Sequence, residues 1–138
     1  MKQTLRTVLA IVAGFVAATA VMMLTEAANG RFIYPELGKA AEGVTDRAVV
    51  RQLLAAAPVG ALFVVLAGWF IGTVVGGFVA AKIARRAPAA HALAVGVIIA
   101  LAGVANNLMI PPPAWFWVAG LLAPLAAGAL TARIVRAT

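Results

Sequence analysis

PVGALFVVLAGWFIGTVVGGFVAAKIARR, residues 58–86, decides the fold. From Val59 to Ala81 it carries no charged side chain, and Lys82, Arg85 and Arg86 then close it. A helix rises about 1.5 Å per residue, so this run outreaches a hydrocarbon core roughly 30 Å thick. Inside it Gly68, Gly72 and Gly76 recur every fourth residue, with Gly77 beside the last. That spacing strips one helix face of side chains. In lipid, little hydrophobic force draws helices together, so a bare stripe marks a surface for close van der Waals packing. The stripe is expected to be the main helix-packing surface, and to join subunits as well.

Three further stretches share this character: Val8–Thr25, Ala89–Ile110 and Ala114–Val135. None alternates with period two, and all are rich in Ala, Leu and Gly, which argues for helices over the strands of a barrel. Of the 138 residues 64% are hydrophobic and 11% charged. A soluble domain of that size has too little interior to hide so much apolar surface. The sequence therefore predicts an all-α integral membrane bundle, one domain over residues 1–138, with spans near 6–27, 58–84, 89–110 and 113–136. The start resembles a signal peptide, with Lys2, Arg6 and small residues at Ala18 and Ala20. Its apolar run is too long and continues past that point, so it reads as a transmembrane helix.

The net charge of +7 invites a nucleic-acid reading. Its distribution argues for a membrane instead. If four helices alternate, Lys2, Arg6, Lys82, Arg85, Arg86, Arg133 and Arg136 share one side. The other side holds Arg31, Lys39, Arg47 and Arg51 together with all four acids, Glu26, Glu36, Glu42 and Asp46. By the positive-inside rule both termini are cytoplasmic. The expected partners are the lipid bilayer and either further copies of the chain or another membrane protein, with no nucleic acid.

Residues 28–45 are expected to be the one long loop, punctuated by Gly30, Pro35, Gly38 and Gly43 and facing outward. TDRAVVRQLLAAAP then predicts a short amphipathic helix before the second span. Thr45 or Asp46 can cap it, and Val49, Val50, Leu53 and Leu54 form its apolar face. It either lies on the membrane surface or extends the second span upward, with Pro58 at the joint. MIPPPAWFW forms the outer hairpin between the third and fourth spans: prolines end one helix and open the next, and Trp115 and Trp117 supply an interfacial aromatic belt.

Few residues offer chemistry. The chain has no cysteine and no serine, which removes two common nucleophiles, and its single histidine, His91, has no companion ligands. No enzyme activity, metal or cofactor is expected. What stands out is polarity at depth. Glu26 comes about 27 Å along the first helix from Val8, and Asn107 about 24 Å along the third from His91, so their heights overlap. Asn107 shares a face with Gly96, Ala100 and Gly103, which points it into protein. An ionisable group near membrane depth suggests a functional site with a partner. Glu26, Asn106, Asn107 and Arg31 are the candidate polar pocket. The competing reading is that Glu26 sits in the headgroup zone while the amides fasten helices together.

YPELG, the 58–86 segment and NNLMIPPPAWFWVAG together resemble a family of small, uncharacterised bacterial inner-membrane proteins with four helices. The resemblance implies a location and a fold without a mechanism. Pro111-Pro112-Pro113 stands where that family has Pro-His-Pro, so no histidine-dependent role carries over to this hairpin. The sequence favours a non-enzymatic bundle acting as a structural or accessory subunit. Its rival is a minimal oligomeric transporter or channel with an outward-facing polar pocket around Glu26 and Asn107.

Overall fold

The computed structural model describes residues 2–138. It is all-helical, and four of its helices are long and apolar enough to cross a membrane. In chain order the elements are α1 (Lys2–Ala28), continued by a π-helical turn at Asn29–Ile33, then α2 (Pro35–Ala41) and α3 (Arg47–Ala56), followed by α4 (Val59–Ala84), α5 (Pro88–Met109) and α6 (Ala114–Ala137).

The sequence makes α4 the hub. Its glycine face receives α1 along most of its length, while its other side receives the α5–α6 hairpin. A β-carbon built on Gly72 would come within 2.7 Å of the Ala18 carbonyl oxygen, and one on Gly68 within 2.9 Å of the Thr25 side chain. Gly76 meets the Gly14 backbone so closely that any side chain would overlap it. The small residues of α1 that are buried, Ala10, Gly14 and Ala18, are those that lie along this groove. Gly77 turns the other way, toward Thr131 of α6. The stripe is therefore occupied within a single chain. The expectation that it joins subunits is corrected on that ground: no bare face is left there for a second copy.

The α5–α6 contact uses the same device. A β-carbon on Gly96 would lie 2.8 Å from the Pro124 carbonyl oxygen and 3.0 Å from the α-carbon of Gly128. Buried hydroxyls cost little, because Thr73 and Thr131 donate to the carbonyls of Trp69 and Ala127 on their own helices, at 2.7 and 2.9 Å.

Lys2, Arg6, Arg85 and Arg86 gather at one end. Arg6 Nε donates to the Ile83 carbonyl at 2.7 Å, placing a cation on the C-terminal turn of α4. Arg86 donates to Gln3 Oε1 at 3.2 Å. The turn into α5 is tight enough to hold Arg85 and Ala87 at positive φ, 58° and 46°. His91 Nδ1 lies 3.0 Å from the Ala87 carbonyl at the start of α5.

The opposite end departs from expectation. Most of the stretch read as a loop, residues 28–45, is helical: the π turn and α2 fill it to Ala41. Pro35 does not break structure here. It occupies the first turn of α2, where a missing N–H costs nothing. Gly30 and Gly38 serve as a contact rather than as hinges, their backbones touching where α2 folds against the π turn. Of the glycines in this stretch, only Gly43, at φ 71°, uses the left-handed conformation. Asp46 caps α3, its carboxylate accepting from the N–H groups of Ala48 at 2.8 Å and Val49 at 3.2 Å.

Candidate functional site

Aromatic packing frames the site. Trp69 points from α4 into a notch left by two glycines, with its six-membered ring 2.9 Å from where a β-carbon on Gly103 would stand and 3.2 Å from one on Gly120. Phe116 meets it edge to face at 5.6 Å between ring centroids. Leu62 and Leu66 complete this buried cluster, and Leu54 of α3 rests on it. Trp115 belongs to the same layer, 5.3 Å from Phe63 and 5.8 Å from Phe116. Trp117, half-buried, takes no part in these ring pairs.

Above the cluster lies a cavity of about 360 Å³. Glu26, Asn29, Asn106 and Asn107 supply its polar lining. Trp69, Phe116, Leu54, Leu62, Val65 and Ile110 supply apolar walls, and α2 closes one side through Leu37, Gly38 and Ala41. No Lys, Arg or His lines it. A second, smaller groove of about 200 Å³ runs between α1 and α5 and shares Trp69 and Asn106 with the first.

Three of the four polar residues singled out in the sequence thus border one space. Asn107 is 2% exposed, held inward by the face it shares with buried Gly96, Ala100 and Gly103. Asn106 and Glu26 are exposed and stand at the margin. Glu26 has no cation within 4 Å among the described residues, where the one ion pair joins Lys39 and Glu36 on the surface. Trp69 lines the same cavity as Glu26. Arg31 does not enter this space. Five residues beyond Glu26, it falls on another helix face and lines an adjoining open hollow with Glu26, Lys39 and Glu42. Its guanidinium lies 6.0 Å from the Phe32 ring.

Asn29 was not among the candidates, and it is the most constrained polar group of the site. It is 6% exposed, and its Nδ2 donates to the Ala61 carbonyl at 3.0 Å, tying the end of α1 to the start of α4. Because a carbonyl can only accept, that bond fixes the amide orientation and leaves Oδ1 as the amide's remaining acceptor. Oδ1 is buried without a protein partner. A buried polar atom in that state costs about 1–3 kcal/mol. The π turn begins at this residue; such turns are uncommon, and they often occur at functional sites. The signal in the sequence was spacing: Asn29 follows Glu26 by three residues, so a helix that continued would set both on one face.

The arrangement offers a carboxylate, an unpartnered amide oxygen, two further amides and an indole N–H around an apolar floor. It can hold a small molecule with one polar end. It offers no nucleophile beside a base, and no group of three or more His, Cys, Asp or Glu side chains suited to a metal ion occurs among the described residues. No family model, no curated protein and no solved structure matches this chain.

Proposed function

We propose that this chain is a non-enzymatic, multi-pass protein of a bacterial inner membrane that binds a small molecule in an outward-facing polar pocket, in the manner of a minimal transporter. The observation that carries the reading is the convergence of Glu26, Asn29, Asn106 and Asn107 on one cavity walled by Trp69 and Phe116. A bundle with a purely structural role gains nothing from a carboxylate without a cation beside a buried amide oxygen without a donor. The cavity lies at the end remote from Lys2, Arg6, Arg85 and Arg86, so the positive-inside rule puts its mouth on the outer side and both termini in the cytoplasm. In this setting α3 rests at the outer interface, its polar face carrying Arg47 and Arg51 and its Leu54 roofing the cavity.

The structural or accessory reading has one observation in its favour. α1 buries only Ala10, Gly14 and Ala18, leaving Val8, Val12, Val16 and Leu24 for lipid or for another membrane protein.

The test is ligand-dependent stabilisation of the purified protein. A ligand present at a hundred times its dissociation constant stabilises the folded state by about 2.7 kcal/mol. Across a panel of small cations, anions and neutral aromatics, at least one compound should raise the melting temperature of the native protein. The same compound should leave Asn107→Phe, which fills the cavity, unchanged. If no compound separates the two proteins, the pocket reading fails.

A further inference from the structure

Resting on that pocket reading, we propose that the ligand class is an organic cation: an ammonium group carried on a compact apolar or aromatic body. The charge argument is direct. Of the residues around the cavity only Glu26 is ionisable, and its carboxylate has no cation within 4 Å among the described residues. Asn29 Oδ1 adds a second negative end within the cavity wall, buried and unpartnered, and the donor role of Nδ2 toward Ala61 prevents the amide from turning. An anion would meet a carboxylate and find no basic side chain in the lining to hold it. A cation is favoured by both acceptors, and the lining also includes Trp69, the side-chain type whose ring attracts cations most strongly.

The floor specifies the remainder of the ligand. Leu62, Val65 and Phe116 surround Trp69 with hydrocarbon, so a bare metal ion would leave most of the lining uncompensated. Asn106 and Asn107 can orient a polar substituent but do not supply the charge. A primary, tertiary or quaternary ammonium with one ring or a short branched chain fits about 360 Å³.

The experiment compares three molecules of nearly one shape: benzyltrimethylammonium, its neutral carbon analogue neopentylbenzene, and the anion phenylmethanesulfonate. The full chain is purified in a non-ionic maltoside. Trp115→Phe and Trp117→Phe are introduced so that Trp69, on the cavity wall, remains as the sole tryptophan reporter. Benzyltrimethylammonium should change Trp69 emission saturably and raise the melting temperature, while the other two do neither. Glu26→Gln should weaken its binding at least about tenfold, as expected for loss of a charge-assisted contact. Its unliganded melting temperature should stay near that of the parent. Should Glu26→Gln fold poorly, Glu26→Asp, which withdraws the carboxylate, is read in its place. Saturable binding of the neutral or the anionic molecule as tight as that of the cation overturns the cation assignment and leaves the pocket reading standing. Unchanged cation affinity in the Glu26 variant also overturns it. If none of the three binds, the cation assignment is overturned, and the wider panel decides the pocket reading separately.

Discussion

Substitution of Gly76 by alanine tests the packing that holds the bundle together. The added methyl would overlap the Gly14 carbonyl oxygen and stand 2.8 Å from the Ala18 β-carbon and 3.2 Å from the Gly14 carbonyl carbon. Both obstacles lie on or next to the backbone of α1, and neither can rotate aside. The helices must part by about 1 Å, a gap that forfeits a quarter to a half of each contact it opens. Overpacking of this kind costs about 1–3 kcal/mol, and a rigid obstacle belongs at the upper end of that range. Exchanging Gly for Ala inside a helix returns up to about 1 kcal/mol. The net expectation is a loss of about 1–2 kcal/mol. Gly77→Ala is the internal control. One turn of the same helix carries both residues, but a methyl at 77 meets only the Thr131 side chain, at 3.1 Å, an approach that a shift of a few tenths of an ångström relieves. It should come out within about 0.5 kcal/mol of the parent, since the propensity gain offsets a mild clash. Reversible unfolding in mixed micelles reads both variants. If Gly76→Ala is as stable as Gly77→Ala, α1 does not lie in the α4 groove and the account of the bundle is wrong.

Three other outcomes follow from the same geometry. With no native cysteine in the way, Lys39→Cys should be labelled by an impermeant thiol reagent added outside intact cells, and Arg86→Cys spared; the reverse pattern would invert the proposed topology. Arg6→Ala loses the bond to the Ile83 carbonyl and a cation at the C-terminus of α4, so unfolding measurements should register a loss of about 1–2 kcal/mol. Asp46→Ala removes the cap of α3, worth about 1 kcal/mol. Because α3 has no buried residue, hydrogen exchange should accelerate within residues 47–56 while global unfolding stays unchanged.

The four spans were legible because length and apolarity alone decide them: any run like 59–81 must be helical in lipid. The spacing of Gly68, Gly72 and Gly76 likewise reveals a packing face. It cannot name the partner, because an α1 groove and a second subunit demand the same bare stripe. Gly30, Pro35 and Gly38 misled for a related reason. Each is a breaker by propensity, yet tertiary contact uses Pro35 to start a helix and the two glycines to let backbones touch. Glu26 and the Asn106–Asn107 pair stand out in so apolar a chain by polarity alone. Asn29 did not, since it sat in a stretch read as loop, where an asparagine is ordinary. Arg31 was attractive as the nearest opposite charge, but nearness in sequence is not nearness on a helix face.

Accessibility of position 107 tests the central claim most directly. Asn107 has 2% of its surface exposed and Leu101, on the outer face of the same helix, has 63%. If that 63% faces hydrocarbon while Asn107 borders a water-filled cavity, reactivity should run opposite to exposure. Asn107→Cys, in membranes, should react with a small water-soluble methanethiosulfonate, and Leu101→Cys should not. A reactive Leu101→Cys beside an inert Asn107→Cys would contradict the account, leaving neither a lipid-facing α5 nor a pocket that a ligand can enter from water.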